Sequence, residues 1–161
     1  MKNKVTVEDF KEVMRSGMIA NFKKDGYLVP VVFFYTEDGP HIAQIPNDSL
    51  KSTASKTSLA LNIKALCIDP EILAAGVIIE AYGAKIDVNS ENAQKVLDGE
   101  IHVRDLAERE DVIAMIFSTP EKDESIVYSV DCEKKTVGEA FTPEDAEPMV
   151  GIFGSFFELR K

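Results

Sequence analysis

Cysteine, histidine and tryptophan are scarce in this 161-residue chain, which has two cysteines, two histidines and no tryptophan. Cys67 and Cys132 stand far apart and outside any CxxC pair, and neither His41 nor His102 has a second histidine or cysteine at ligand spacing. Zinc sites are built from clusters of these residue types at short, regular spacings. We therefore predict no bound metal, and two free, unreactive thiols in place of a disulfide.

Long apolar runs are missing as well. The N-terminal sequence MKNKVTVEDF becomes acidic before any apolar segment forms. No apolar run approaches the ~20 residues that a membrane-spanning helix requires. We therefore expect neither a signal peptide nor a membrane-spanning helix, and the unpaired cysteines favour a cytoplasmic location.

The chain has fewer basic than acidic residues. Its 18 lysines and arginines and 28 aspartates and glutamates give a formal net charge of −10. Nucleic-acid backbones and anionic membrane surfaces both attract clustered lysine and arginine. The sequence therefore predicts that the chain binds neither of them. The first effect of such a charge is to keep a protein in solution.

The motifs of phosphate binding and of nucleophilic catalysis are also absent. The chain has no GxxxxGK[ST] loop, no GxGxxG after a strand and no GxSxG turn. The pair Lys56–Thr57 lacks a preceding glycine loop, so we interpret it as part of an exposed helix surface. No cofactor is predicted.

What the chain does contain is a hairpin signal between Gly26 and Pro46. Two apolar runs flank Asp38 and Gly39, and an Asp-Gly pair suits the positive φ of a tight hairpin turn. The first arm is apolar on both faces, which is typical of a strand covered on both sides, or covered on one side and used as an interface on the other. Pro30 cannot donate a ladder hydrogen bond, so it predicts an edge or a bulge at that point.

Helices are predicted from capping residues and helical spacing at 6–24, at about 48–66 and at about 90–97. The segment Asp69–Glu71, with a proline at the first helical position, predicts one or two further turns. An apolar stripe in the tail after Thr142 predicts a last helix. Two glycines inside that stripe lower the helix propensity of the tail, so a strand remains the alternative.

On the second helix, apolar spacing predicts one buried stripe. Small residues such as Ala54 and Ala60 would let that helix lie close against the sheet. The opposite side carries serines and lysines, as a solvent-exposed surface does. The predicted stripe consists of Leu50, Ala54, Thr57, Leu61 and Ala65.

Runs of β-branched and aromatic residues between charged or glycine-containing turns predict the strands. After the hairpin they fall at VIIEAYGAKI, VIAMIFST, SIVYSV and TVGEAF, and the last three form an antiparallel meander. The order is α-β-β-α-β-(short α)-β-β-β-α in a single domain, residues 1–161. This is an α+β fold with a mixed, mostly antiparallel sheet and N-terminal, central and C-terminal helices packed on it. The strand, helix and strand at its centre predict a crossover unit.

This element order is similar to the layout of cytidine deaminases and of JAB-type metallopeptidases, which also run a hairpin, a helix and further strands. The metal ligands of those enzymes, in motifs such as HxE followed by PCxxC, are absent from this chain. The similarity is one of topology and implies no function.

One residue breaks a local pattern, because Glu80 is a carboxylate inside an apolar strand. A buried carboxylate without a partner is costly, so Glu80 either faces solvent or is paired. If it is paired and partly buried, it is a candidate general base, and His41 is the imidazole expected beside it. The alternative is a strand face that becomes solvent-exposed at this point.

The C-terminal tail supplies a second candidate surface. Its phenylalanines offer more apolar area than one small sheet needs, and the glycines between them would permit close docking on a second copy or another protein. The alternative is that the tail packs on its own sheet. The predicted interface residues are Ile152, Phe153, Phe156 and Phe157.

Together with the missing catalytic motifs, these surfaces favour a non-enzymatic interaction or regulatory module that forms a homodimer or binds another protein. Two alternatives stay open. One is a small hydrolase-like enzyme that uses Glu80 and His41 as an acid–base pair, which requires hydrogen-bond reach or one bridging water. The other is a structural component of a larger assembly.

Overall fold

The computed structural model describes residues 5–84, 89–101, 106, 109–140 and 153–160. The α-helices in these ranges are α1 (Val7–Asp25), α2 (Thr53–Leu66) and α3 (Glu91–Leu97). The strands are β1 (Val31–Thr36), β2 (Gly39–Gln44), β3 (Ile72–Ala84), β4 (Arg109–Ser118), β5 (Asp123–Asp131) and β6 (Thr136–Ala140). The predicted α+β class is confirmed. The predicted order of elements is matched approximately, because the described end of the chain has a short 3-10 helix where the sequence predicts a last α-helix.

Helix α1 begins and ends within one residue of its predicted bounds. The Thr6 hydroxyl accepts a hydrogen bond from the Asp9 N–H at 3.0 Å, and the Asp9 carboxylate accepts one from the Thr6 N–H at 3.2 Å. This reciprocal cap satisfies N–H groups that have no partner inside the helix. Gly26, with φ 77°, closes the other end. In the described ranges, no helix is long and apolar enough to cross a membrane.

The described strands form a six-stranded sheet in the order β2-β1-β3-β4-β5-β6, and each neighbouring pair is antiparallel. Strands β2 and β3 both pair with β1, from opposite sides, and therefore run parallel to each other. Helix α2 connects them, which is the crossover unit expected from the sequence. Strand β1 lies inside the sheet with a core on each face, as its two-sided apolar pattern indicated.

Helix α1 covers one face of the sheet, called here the α1 face, with large side chains. Phe10 stacks on Tyr35 with ring centroids 4.6 Å apart and meets Phe33 edge to face at 5.6 Å. Phe117 of β4 joins them, 5.9 Å from Phe33. Aromatic pairs at such distances add stability beyond the area that they bury. Gly76 of β3 makes room for this cluster, since a Cβ at that position would overlap the Phe33 ring.

The opposite face, called here the α2 face, is covered by α2 and by the end of the chain. Its side chains are smaller: Ala60, Ile63 and Cys67 pack with Ala75 and Val77 of β3. Small residues on both sides bring a helix close to a sheet. Ala60 is buried in this contact, as predicted, and the close approach of α2 to the sheet stays a prediction.

The buried stripe of α2 differs from the predicted one. Ala54 is exposed and Leu61 is 54% exposed, whereas Ile63 is 2% exposed. The reason is a break in the helix, because Asn47–Leu50 form a separate 3-10 helix before α2 begins. A stripe that is counted from Leu50 ignores this break and therefore predicts burial for residues on the exposed side of α2.

The segment Asp69–Glu71 forms a turn and not the predicted helical turns. The Asp69 carboxylate accepts a hydrogen bond from the Glu71 N–H at 2.9 Å, and the Asp69 C=O accepts one from the Ile72 N–H at 3.1 Å. Aspartate closes turns in this way. Because β3 begins at Ile72, no residues remain for a helix between α2 and β3.

The tail is described from Phe153 to Arg160. In this range it forms one short 3-10 helix, Glu158–Arg160. Gly154 and Ser155 have φ angles of 145° and 49°, and positive φ interrupts a right-handed helix. The start of the predicted tail helix, after Thr142, lies outside the described residues.

Candidate functional site

Glu80 lies on the α1 face of β3, just beyond the start of β1. Val31, the first residue of β1, pairs with Ile78, so Glu80 faces the segment that leads from α1 into β1. Its exposed carboxylate accepts a hydrogen bond from the backbone N–H of Leu28 in that segment. Glu80 is thus both paired and solvent-facing, and its contact fixes how the chain enters the sheet.

His41 lies far from Glu80. It is exposed on β2 opposite Phe34, which pairs in turn with Ala75 of β3. From Ala75, Glu80 lies about 16 Å further along β3, with β1 in between. Directly paired residues share a face and side chains alternate along a strand, so His41 and Glu80 occupy opposite faces of the sheet. The acid–base pair that a hydrolase-like enzyme requires is not brought together.

A cavity of about 220 Å³ opens beside Glu80, and Asp111, Val130 and Cys132 are among its lining residues. The Cys132 thiol donates to the Asp111 carboxylate, with Sγ and Oδ2 3.7 Å apart. Although Cys132 is exposed as a residue, desolvation of its sulfur raises the pKa of the thiol, and the charges of Asp111 and Glu80 raise it further. The thiol therefore stays protonated at neutral pH and is a poor nucleophile.

Metal-ligand geometry is not found in the part of the chain that the structure describes, where no three histidines, cysteines or carboxylates converge. His41 stands on β2 without another ligand residue, and His102 lies outside the described residues. Cys67 is fully buried at the end of α2, and burial raises the pKa of its thiol to about 12. It behaves as a small apolar core residue, as its position at a helix C-terminus suggested.

The tail phenylalanines lie in the core of their own chain. Phe153, Phe156 and Phe157 are 6%, 0% and 4% exposed, and they pack with Ala60 and the other small residues of the α2 face. Those small residues leave a groove that the three rings occupy. The tail thus packs on its own sheet, which was the alternative to the predicted interface. Ile152 lies outside the described residues.

Polar contacts hold the tail in this groove. The Arg160 guanidinium donates to the backbone C=O groups of Cys67 and Ile72, both at 3.0 Å, and lies 4.8 Å from the centroid of the Phe157 ring. Lys64 of α2 forms an ion pair with Glu158 at 2.7 Å. The three rings are therefore anchored on both sides and are not available as a docking surface.

The surface that the structure leaves open is the edge strand β2. Each residue from Pro40 to Gln44 is exposed, and Ile42, in the middle of this stretch, is 56% exposed. Among the described strands, β1 is the only neighbour of β2. Such an edge presents unpaired N–H and C=O groups to solvent.

The register of the hairpin fixes which of these groups point outward. The Ile45 N–H donates to the Pro30 C=O at 2.8 Å, so these two residues form a hydrogen-bonded pair. Hydrogen-bonded and non-hydrogen-bonded pairs alternate along an antiparallel ladder, which directs Ala43 and His41 toward β1. The residues whose backbone groups point away from β1 are Pro40, Ile42 and Gln44.

Strand β2 carries no aspartate, glutamate, lysine or arginine in a chain where these four types make up 29% of the residues. Natural edge strands are protected from pairing by charges, bulges or prolines. Pro40 removes one outward donor at one end of β2, and the ladder with β1 runs without a bulge. The middle of the edge is left without protection.

A sequence signal for this edge exists, but apolar content does not reveal it. No charged residue occurs from Gly39 to Pro46, directly after the predicted turn. The strong apolar content of the first arm indicates that β1 is an interior strand. The second arm is less apolar and has no charged residue that would repel an added strand, which indicates that β2 is the edge strand beside β1. The interface predicted in the tail rests on apolar content and on the glycines between the phenylalanines, and both features also suit residues that pack in the core.

Comparison with protein-family models, with curated proteins and with solved structures finds no match to this chain. The features of the molecule that bear on its function are therefore the edge strand, the cavity beside Glu80 and the buried tail.

Proposed function

We propose that this protein is an interaction module that binds an extended segment of another chain along β2, by adding a strand to its sheet. The observation that carries the proposal is the open edge, which is exposed, uncharged and directs the N–H groups of Ile42 and Gln44 outward. In strand addition, main-chain hydrogen bonds supply the affinity and alternate side chains supply the specificity.

The rigidity of the hairpin supports this role. Strand β1 pairs with β2 along one side and with β3 along the other, and Phe33 anchors it in the aromatic core of the α1 face. An edge that is already ordered does not have to be ordered on binding, which lowers the free-energy cost of association.

The proposed role is non-enzymatic. His41 and Glu80 occupy opposite faces of the sheet, and the thiol of Cys132 stays protonated at neutral pH. The cytoplasm remains the predicted location, since both cysteines are free thiols. A structural component of a larger assembly would use the same edge and would differ only in its partner.

A peptide titration tests the proposal. The probe is a short acetylated and amidated peptide of alternating threonine and valine, which can add as a strand and carries no charge. We expect it to shift the amide resonances of Ile42 and Gln44 and to slow their exchange with solvent. The amide of Glu139, on the opposite edge, serves as the internal control and should not change.

The variant Ile42→Pro sharpens this test, because it removes an outward N–H while leaving the bonds to β1 in place. We expect it to abolish the peptide-induced shifts, whereas Ile42→Val, which keeps the N–H, should retain them. Binding at another surface, or no binding of millimolar peptide to the monomeric protein, would contradict the proposal.

A further inference from the structure

We infer that the strand added at β2 is the β2 strand of a second copy of this chain, so that two sheets join edge to edge in a homodimer. This inference rests on the proposed function, because it names the occupant of the same edge. The two strands run antiparallel about a two-fold axis, as a symmetric dimer requires.

The outward groups of β2 are complementary to themselves in the register centred on Ile42. In that register Ile42 and the partner's Ile42 form a hydrogen-bonded pair and exchange both N–H to C=O bonds. The Gln44 N–H then lies opposite the C=O of the partner's Pro40. Because proline has no N–H, the Gln44 C=O is left to water at the rim of the interface.

Other symmetric registers align less of the exposed strand or form fewer hydrogen bonds. A shift in one direction pairs Ile42 with the partner's Gln44 and keeps the same number of hydrogen bonds, but it sets Pro40 opposite the partner's Pro46, beyond the exposed stretch, where neither residue donates. A shift in the other direction places Ile42 opposite the partner's Pro40 and loses one bond of each pair. The register centred on Ile42 therefore aligns the longest stretch of exposed strand.

Electrostatics also favours this edge for contact between two copies. Each copy has a formal charge of −10, so two copies repel wherever their carboxylates face each other. The paired stretch Pro40–Gln44 brings only uncharged side chains together. An approach through β6 would instead bring Glu139 of each copy into the contact, and like charges opposite each other destabilise strand pairing.

The carboxylates nearest to the paired stretch belong to the hairpin turn. In the register centred on Ile42, Glu37 and Asp38 approach the partner's segment that follows Pro46. The acidic residue of that segment, Asp48, already forms an ion pair with Lys51 at 2.7 Å, which offsets its charge. The turn's own carboxylates, Glu37 and Asp38, lie beyond the paired stretch Pro40–Gln44 and approach a segment whose acidic residue is already paired.

Sedimentation velocity over a concentration series tests the inference. We expect the protein to associate into a dimer, and Ile42→Pro to weaken the dimer at least about tenfold through the loss of the central pair of hydrogen bonds. The matched control is Ile42→Val, which keeps the N–H and an apolar side chain and should associate as the unchanged protein does.

A second pair of variants guards against a folding defect caused by proline. Ile42→Lys places two lysines opposite each other in the central pair and should also weaken the dimer, again by about tenfold. Leu61→Lys makes the same charge change on α2, at a residue that is 54% exposed, and should leave the dimer intact. Circular dichroism of each variant verifies that it is folded.

The outcomes separate the inference from the proposed function. A dimer lost in Ile42→Pro and Ile42→Lys but kept in both controls supports the inference. A dimer unaffected by either Ile42 variant overturns it, since association then uses another surface. A chain that stays monomeric but binds the threonine–valine peptide at Ile42 and Gln44 overturns the inference and leaves the proposed function in place. A monomer that binds no peptide contradicts both.

Discussion

The two edges of the described sheet are built differently. The ladder between β5 and β6 shifts register between Tyr128 and Val130, and β6 carries Glu139. The ladder between β1 and β2 is regular, and β2 is uncharged. Bulges and charges are the devices by which natural sheets prevent unwanted strand pairing. The contrast indicates that the chain protects one edge and leaves the other available for binding.

The β6 edge is also tied to the body of the protein. The turn between β5 and β6 meets the end of α1, where the Lys135 ammonium donates to the Lys24 C=O at 3.5 Å. Gly26 fits closely against this turn, since a Cβ there would lie 2.9 Å from the Cys132 carbonyl oxygen. Strand β2, in contrast, is bounded on its outer side by solvent from Pro40 to Gln44.

The contrast requires that β2 belongs to a firmly held hairpin, and Phe33→Ala tests this with the largest expected effect. Phe33 is fully buried among Phe10, Tyr35 and Phe117. Its truncation leaves a cavity and should lower the free energy of unfolding by about 3–5 kcal/mol, measured by chemical denaturation.

The control for this variant is Val13→Ala, because Val13 is 65% exposed on α1. It should change the free energy of unfolding by no more than about 0.5 kcal/mol. A loss below about 1 kcal/mol in Phe33→Ala would indicate a loosely packed hairpin, and the exposure of β2 would then reflect poor packing.

Removing the protection of the other edge has a smaller expected effect. Glu139→Thr deletes the charge on β6, so that both edges can accept a strand and sheets can join in an open series. Light scattering should show at most about a twofold rise in mean mass, because the register shift remains. Glu133→Thr makes the same charge change in the β5–β6 turn and should leave the mass unchanged. An identical mean mass for all three proteins would show that charge does not protect this edge.

The most local expected effect is a change in the reactivity of the Cys132 thiol, which donates to the Asp111 carboxylate. The Asp111 carboxylate contributes to the raised pKa of the Cys132 thiol, after desolvation, so Asp111→Asn should lower that pKa and increase the thiolate fraction. We expect alkylation of Cys132 by iodoacetamide at pH 8 to become about two- to threefold faster. Cys67 is buried and should stay unmodified in the folded protein.

The matched control is Asp48→Asn, which removes an exposed carboxylate from the 3-10 helix Asn47–Leu50. This helix is distant from Cys132 in the sequence. It should leave the alkylation rate of Cys132 unchanged. A rate unchanged in Asp111→Asn as well would show that desolvation alone determines the reactivity of this thiol.

Local signals allowed much of this fold to be predicted from the sequence. The Thr6 cap and the Gly26 stop act within a few residues, and so does the Asp38–Gly39 turn, so their consequences can be deduced without knowledge of the rest of the chain. The prediction for α2 was wrong where a local break, at Asn47–Leu50, shifted the helical phase. Capping and turn signals therefore predict local structure correctly when the helical spacing is counted separately within each element.

The candidate site depends on contacts that local signals do not contain. Glu80 and His41 are the carboxylate and the imidazole that the sequence predicts to lie together, yet register and face keep them apart. The phenylalanines of the tail have the composition of an interface, yet small residues of α2 and β3 provide a groove for them. Which apolar group stays exposed is decided by the packing of distant segments, and that cannot be deduced from composition.

Residue-resolved hydrogen exchange along β2, at several protein concentrations, directly reports whether the outward edge of β2 is open in the monomer and paired in the dimer. His41 and Ala43 donate to β1 in this register, so their amides should be protected at every concentration. The amides of Ile42 and Gln44 point outward and should gain protection only as the dimer forms. Fast exchange at Ile42 and Gln44 in a sample that is fully dimeric would contradict the account, because the edge would then be open in the assembled protein.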